Sequence, residues 1–220
     1  MIISTVSLKG GVGKTTIAVN LSVYFAMQGY SVLIVDADEN QNAVKWSGLR
    51  GNAKVDITAV GLTNPAALRN NIENLAIARD IIIIDGTPAL NEIANTIMLI
   101  SDVSIFPIQA SPLDLWAFND KFLPRFNDVK VIRPGLLGLI LLNNVDSRTN
   151  LSDEIIEAVE SYEIPVLTNF ISDRVIYRDS IAYGLSVLEI DGKKANQKAI
   201  EEVNNLGQEI TKLIQNGQDK

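Results

Sequence analysis

Cysteine and histidine are both absent from the 220-residue chain. Without cysteine there is no disulfide, no thiolate metal site and no iron–sulfur ligation, and without histidine there is no imidazole acid–base chemistry. Catalysis here must rest on carboxylates, lysines and bound ions. Long hydrophobic runs are missing as well: the apolar stretches are strand-sized, well short of the roughly 20 residues of a membrane span. The N-terminus lacks a basic start, a long apolar stretch and a small-residue cleavage site, so a soluble, cytoplasmic protein is expected. Positive charge is in short supply: 19 Lys and Arg face 26 Asp and Glu, a net charge of −7. The surface as a whole therefore repels nucleic acid and anionic membrane, and binding to either needs a local basic patch. No repeat, low-complexity stretch or Pro/Gly-rich linker divides the chain. With 47% hydrophobic residues, one packed domain over residues 1–220 is expected.

Short β-branched runs alternate with longer helical patterns throughout. Strands are predicted at about 2–7, 31–36, 55–60, 81–85, 103–108, 136–142 and 166–171, with helical patterns between them such as KTTIAVNLSVYFAMQG and SDEIIEAVESYE. Ser152 is the expected N-cap of the second of these. Runs that are apolar at consecutive positions, IIII above all, indicate strands covered on both faces. The pattern is α/β: a doubly wound, mostly parallel sheet with helices on both faces. Residues 193–215 place Ile200, Val203, Leu206, Ile210 and Leu213 at helical spacing among glutamates, which predicts a helix docked on the body and not a basic membrane anchor.

The first strand runs into SLKGGVGKTT, residues 7–16. Strand, glycine-rich loop and helix together turn backbone N–H groups onto phosphates at a helix N-terminus. Gly10, Gly11, Val12 and Gly13 form the loop, Lys14 can reach the β and γ phosphates, Thr15 can hold Mg²⁺, and Thr16 continues the cradle. Two positions depart from the usual pattern: its first glycine is Leu8, and an additional lysine stands at Lys9. Farther along, VLIVDADEN ends a buried strand in Asp36 and Asp38, and IIIIDG ends another in Asp85 and Gly86. Carboxylates at the C-terminal ends of parallel strands face the ligand crevice of such sheets. Asp85 is expected to meet Mg²⁺ through water, and Gly86 to leave its N–H open to a terminal phosphate.

Together KGGVGKTT, DAD and IIIIDG resemble the deviant Walker family of P-loop ATPases, and within it the ParA-type partition ATPases. ASPLD (110–114), DSRTNLSDE (146–154) and YRDSIAYGLSVLE (177–189) extend the resemblance over most of the chain. The resemblance implies ATP or ADP with Mg²⁺ as ligands. It also implies a face-to-face homodimer in which Lys9 crosses to the partner's nucleotide. Lys9, Lys14 and Asp38 would then be catalytic, with Asp38 acting on the attacking water, and Thr15, Asp36 and Asp85 would hold the metal, the two aspartates indirectly. The family usually follows its second aspartate with Pro-Gln; here Glu39-Asn40 stands in that place. Asp114 is expected either to meet the partner or its ribose or to cap a helix.

The function implied is plasmid or chromosome partition: ATP-bound dimers on nucleoid DNA without sequence preference, and slow hydrolysis stimulated by a small DNA-binding adaptor, with no membrane involved. The chain starts at its first strand, as in the short members without an N-terminal helix-turn-helix. Two windows could supply DNA contacts: Lys121, Arg125, Lys130 and Arg133, an excess of three positive charges over Asp128, and Arg174, Arg178, Lys193, Lys194 and Lys198 among four acids. Two rivals share the fold: MinD-type membrane-associated regulators and ATP-dependent biosynthetic ligases. NNVD (143–146) resembles a guanine-recognition motif without its lysine, and adenine is the expected base.

Overall fold

The computed structural model describes residues 1–51, 53–89, 91–146 and 153–218. Its core is a seven-stranded sheet in the order β3-β2-β4-β1-β5-β6-β7, with every neighbouring pair parallel. The strands are β1 (Ile2–Thr5), β2 (Val32–Asp36), β3 (Thr58–Gly61), β4 (Ile81–Asp85), β5 (Val103–Gln109), β6 (Leu137–Val145) and β7 (Ile171–Ser172). In β4 the isoleucines alternate between layers: Ile81 and Ile83 pack with one hydrophobic cluster, Ile82 and Ile84 with the other. That two-sided burial is why the strand reads as an unbroken apolar run.

The first layer contains α1 (Lys14–Met27), α2 (Asn42–Gly48), α8 (Val175–Ala182) and α9 (Gln197–Gln218). The second contains α3 (Pro65–Ile77), α4 (Glu92–Ile100), α5 (Pro112–Ala117), a π-helical turn at Phe118–Phe122, α6 (Leu123–Ile132) and α7 (Asp153–Glu160). Phe106 on β5 gathers Phe118, Phe122 and Phe126 around it, with ring centroids 4.6 to 6.2 Å away. α9 lays Val203, Leu206 and Ile210, all buried, into the core and packs against α1, as the docked-helix reading expects.

Several strand bounds differ from expectation: β1 ends at Thr5, not 7, and β6 runs to Val145, not 142. β3 begins at Thr58, not 55. The stretch 166–170 stays out of the ladder apart from one bridge, Val166 to Ile140, and the named strand is Ile171–Ser172. The reason lies on α9: Glu209 accepts from the backbone N–H groups of Thr168 and Asn169, at 2.7 and 3.0 Å, so a side chain satisfies donors that a strand would direct to its neighbour. Ser152 and most of DSRTNLSDE lie outside the described residues.

Candidate functional site

The C-terminal ends of β1, β2, β4, β5 and β6 converge on one rim of the sheet, and the loop from Val6 to Gly13 fills its centre. Gly11 and Gly13 have φ of +76° and +93°, the left-handed region that L side chains rarely adopt. Gly13 is the N-cap of α1 and supplies no side-chain acceptor, so the first amides of that helix face the loop with their positive dipole end. Lys14 folds back beneath the loop, donating to Ser7 Oγ at 3.1 Å and to the Lys9 carbonyl at 3.2 Å. Only 7% of it is exposed. Burial lowers its pKa, against the raising influence of Asp85 and Asp38. A buried ammonium held by two uncharged oxygens is short of negative charge, and a polyphosphate would supply it.

Asp85 is fully buried and comes to the same place. Thr15 Oγ1 donates to its Oδ2 at 2.6 Å, while its Oδ1 has no hydrogen-bond partner. Burial, only partly offset by Thr15 and Lys14, pushes its pKa up to about 7. Among the described residues no cluster of three carboxylates forms a dedicated metal cage. A hydroxyl beside one orphaned carboxylate fits Mg²⁺, which usually takes one or two protein ligands and completes its shell with phosphates and water.

Asp36, expected beside them, is otherwise engaged. Its Oδ2 accepts from the N–H groups of Ala43 and Val44 at 2.8 and 3.1 Å, and its Oδ1 from that of Asp38 at 3.1 Å. The carboxylate anchors the start of α2 and the turn that carries Asp38. Its pKa is raised by burial, which those amides only partly offset. Asp38 itself is half-buried, and its Oδ1 accepts both the backbone and side-chain N–H of Asn40, at 2.8 and 2.9 Å. Asn40 thus orients the carboxylate. Gly86 departs from expectation: its N–H donates to the Thr5 carbonyl at 3.0 Å, and a Cβ there would strike that same carbonyl. The glycine is required by close strand packing, and its amide is not open to phosphate.

Lys9 stands outside the cradle, its side chain 59% exposed, in an ion pair with Asp114 at 3.0 Å. The cap of α5 is Ser111, whose Oγ accepts from the Asp114 N–H at 3.2 Å and donates to its carboxylate at 2.8 Å. Asp114 is therefore the holder of Lys9 and not the cap. A cavity of about 620 Å³ opens beside the loop, bordered by Gly13, Thr16, Asn144, Asp146 and Arg178. Asn143, also on its wall, donates through Nδ2 to the Val12 carbonyl at 2.5 Å, and its Oδ1 has no partner. Sequence reasoning missed Ser7, Asn40 and Asn143 as supports of the loop and of Asp38; Asn143 was visible only within the guanine-like NNVD.

In the first basic window three of the four cations are engaged within the fold, and Lys121 is exposed. Arg125 donates to Asn95, Lys130 to the carbonyls of Pro134 and Leu136, and Arg133 pairs with Asp102. In the second, Arg174 is tied to Glu202, whereas Lys193, Lys194 and Lys198 stand exposed at and just before the start of α9. Among the described residues no helix is long and apolar enough to cross a membrane.

Residues 3–187 match the model of the CobQ/CobB/MinD/ParA nucleotide binding domain. The chain is 29% identical over 216 residues to the maintenance of carboxysome distribution protein A of Halothiobacillus neapolitanus, covering 94% of this chain and 95% of that protein. It is 28% identical to the chromosome-partitioning ATPase Soj of Treponema pallidum, covering 90% of this chain and 93% of that one. Among solved structures, the septum site-determining protein MinD of Pyrococcus horikoshii, in complex with Mg-ADP, shares the fold with a TM-score of 0.76 at 24% identity, over 98% of both chains.

Proposed function

The chain belongs to the CobQ/CobB/MinD/ParA family of P-loop ATPases, and from that premise we propose that it is a partition ATPase, folded as one domain, whose ATP-bound dimer rides on DNA. The observation that carries this reading is the division of the two lysines: Lys14 is buried in its own cradle, and Lys9 stands exposed outside it.

In this proposal the amides of Gly10 to Thr16 and the Lys14 ammonium take the β and γ phosphates. Thr15 and Asp85 hold Mg²⁺, which when bound neutralises charge on the phosphate oxygens. Asp36 contributes at one remove by fixing the turn that bears Asp38. Asp38, with one oxygen held by Asn40, orients the attacking water and takes up its proton as ATP is cleaved to ADP and phosphate. Lys9 leaves Asp114 and reaches a phosphate of the second copy, where exclusion of water strengthens the contact. A single carboxylate acting on the water suits slow turnover that an adaptor protein can accelerate. The base lies in the cavity beside Asn144 and Asp146, with adenine preferred.

DNA contact is assigned to Lys193, Lys194 and Lys198, because the cations of residues 125–133 are engaged within the fold. α9 has its apolar face buried in the core, which speaks against its use as a membrane anchor. The Halothiobacillus relative's name favours a second reading of the cargo as a protein compartment carried by the same cycle.

The test is DNA binding by the purified protein with ATP, with ADP and without nucleotide at several salt concentrations. Binding with ATP alone, weakening steeply with salt, is expected. Lys9→Ala should keep ADP affinity and lose both dimerisation and DNA binding. Equal DNA binding in all three nucleotide states would remove the DNA part of the reading. Turnover stimulated by a small carboxylic acid in place of DNA would favour a ligase.

A further inference from the structure

α5 presents its outer face beside Lys9 with large apolar side chains uncovered. Leu113 is 72% and Trp116 64% exposed, and they lie three residues apart on one helix face. The contrast with Trp46, the other tryptophan, at 1% exposure, marks Trp116 as a side chain the fold does not use for its own core. Immediately alongside is a cavity of about 260 Å³ between the phosphate loop and the helix. Leu8, Val12, Phe106, Phe118 and Phe122 make its wall largely apolar, and Lys9 and Lys121 also border it. A cavity of about 150 Å³ holds a benzene molecule, so this larger one has room for an indole.

A projecting tryptophan and an apolar hole on the same surface are self-complementary, as a two-fold contact between identical copies requires. Position adds a second argument. Lys9 is bonded to Asp114, the residue between Leu113 and Leu115 on α5, so any surface across which Lys9 reaches a second copy includes this helix.

We propose that Trp116 of each copy seats in the cavity beside Lys9 of the other, anchoring the nucleotide-dependent dimer through α5. This rests on the dimer of the preceding section and names the contact that holds it. Lys121, at the cavity, supplies a cation to the face of the incoming indole. Buried aromatic anchors of this kind dominate the energetics of small interfaces.

Acrylamide quenching of tryptophan fluorescence reads the contact directly, because buried Trp46 is out of the quencher's reach. The Asp38→Ala variant serves to retain ATP, and molecular mass is followed in parallel by light scattering. With ATP, Trp116 should become protected as the mass doubles, and with ADP it should stay as accessible as in the free chain. Trp116→Ala should weaken dimerisation about 30-fold. Filling the hole with Ala117→Leu should weaken it comparably, with ADP affinity unchanged in both variants. A doubled mass with Trp116 still fully quenchable would overturn this contact and leave the ATPase reading standing. No ATP-dependent doubling at any concentration would remove the dimer and the contact together.

Discussion

Asp85 and Glu202 are both acidic side chains drawn into the fold, and the protein treats them oppositely. Around Glu202, on α9, Arg174, Ser172 and Tyr177 supply donors at 2.7 to 3.2 Å, and their effect outweighs the cost of burial so that its pKa lies below the usual value. Around Asp85, one hydroxyl serves one oxygen and the other oxygen is left without a partner. Burial then dominates and raises the pKa to about 7. A carboxylate that the fold satisfies completely is structural; one that it buries and leaves short is prepared for something that arrives later. The same distinction separates Arg174, tied to Glu202, from Lys14, which only uncharged oxygens hold.

Removing the cation from the unsatisfied site should have the largest effect. Lys14→Ala is expected to lower the ATP turnover number by about 10²- to 10³-fold, measured as phosphate release. Amidation of the two carboxylates then tests the contrast itself. Asp85→Asn should reduce Mg²⁺-dependent turnover by about 100-fold and yet raise the denaturant midpoint of the nucleotide-free protein. Glu202→Gln should leave turnover near its normal value and cost about 3 kcal/mol of stability, because Arg174 loses its counter-charge. Destabilisation of the nucleotide-free protein by Asp85→Asn would break the comparison.

pH sharpens it. Asp85 titrates near its ordinary 3.8 when unfolded and at about 7 when folded, so the folded chain retains a proton that the unfolded chain releases. Nucleotide-free stability should therefore fall as pH rises from about 4 to about 7, by an amount on the order of 4 kcal/mol, and level off above that. Asp36, also raised, adds to the same trend. Glu202 contributes with opposite sign: its stabilisation is present above its unfolded value and disappears on acidification through its lowered folded value. Urea melts at pH 5 and pH 7.5 should show the loss, and Asp85→Asn should flatten it. The smallest effect is expected at Glu209→Ala, which frees the amides of Thr168 and Asn169 to water for a cost of about 1 kcal/mol.

Much of this arrangement was legible along the chain. IIIID over 81–85 specified a strand buried on both faces, and the strand occupies those residues. The glycine spacing ahead of Lys14 specified the loop, and the aspartates at the ends of β2 and β4 marked the rim because strand ends carry polar residues only where the sheet opens. The prediction at 166–171 failed because it weighed β-branched residues and could not see Glu209 arriving from α9. Gly86 looked like an opening for phosphate, since a missing side chain reads identically whether it makes room for a ligand or for the neighbouring strand.

Sequence alone settled the order of strands and helices, the double-sided burial of the sheet and the position of the phosphate loop, because each depends on patterns a few residues long. Tertiary structure decided which charges are satisfied. Asn143 reaches Val12 across 131 residues of chain, and Thr15 reaches Asp85 across 70. Whether a buried group ends with its full set of partners is set by what distant segments bring within 3 Å of it, and no local pattern encodes that distance.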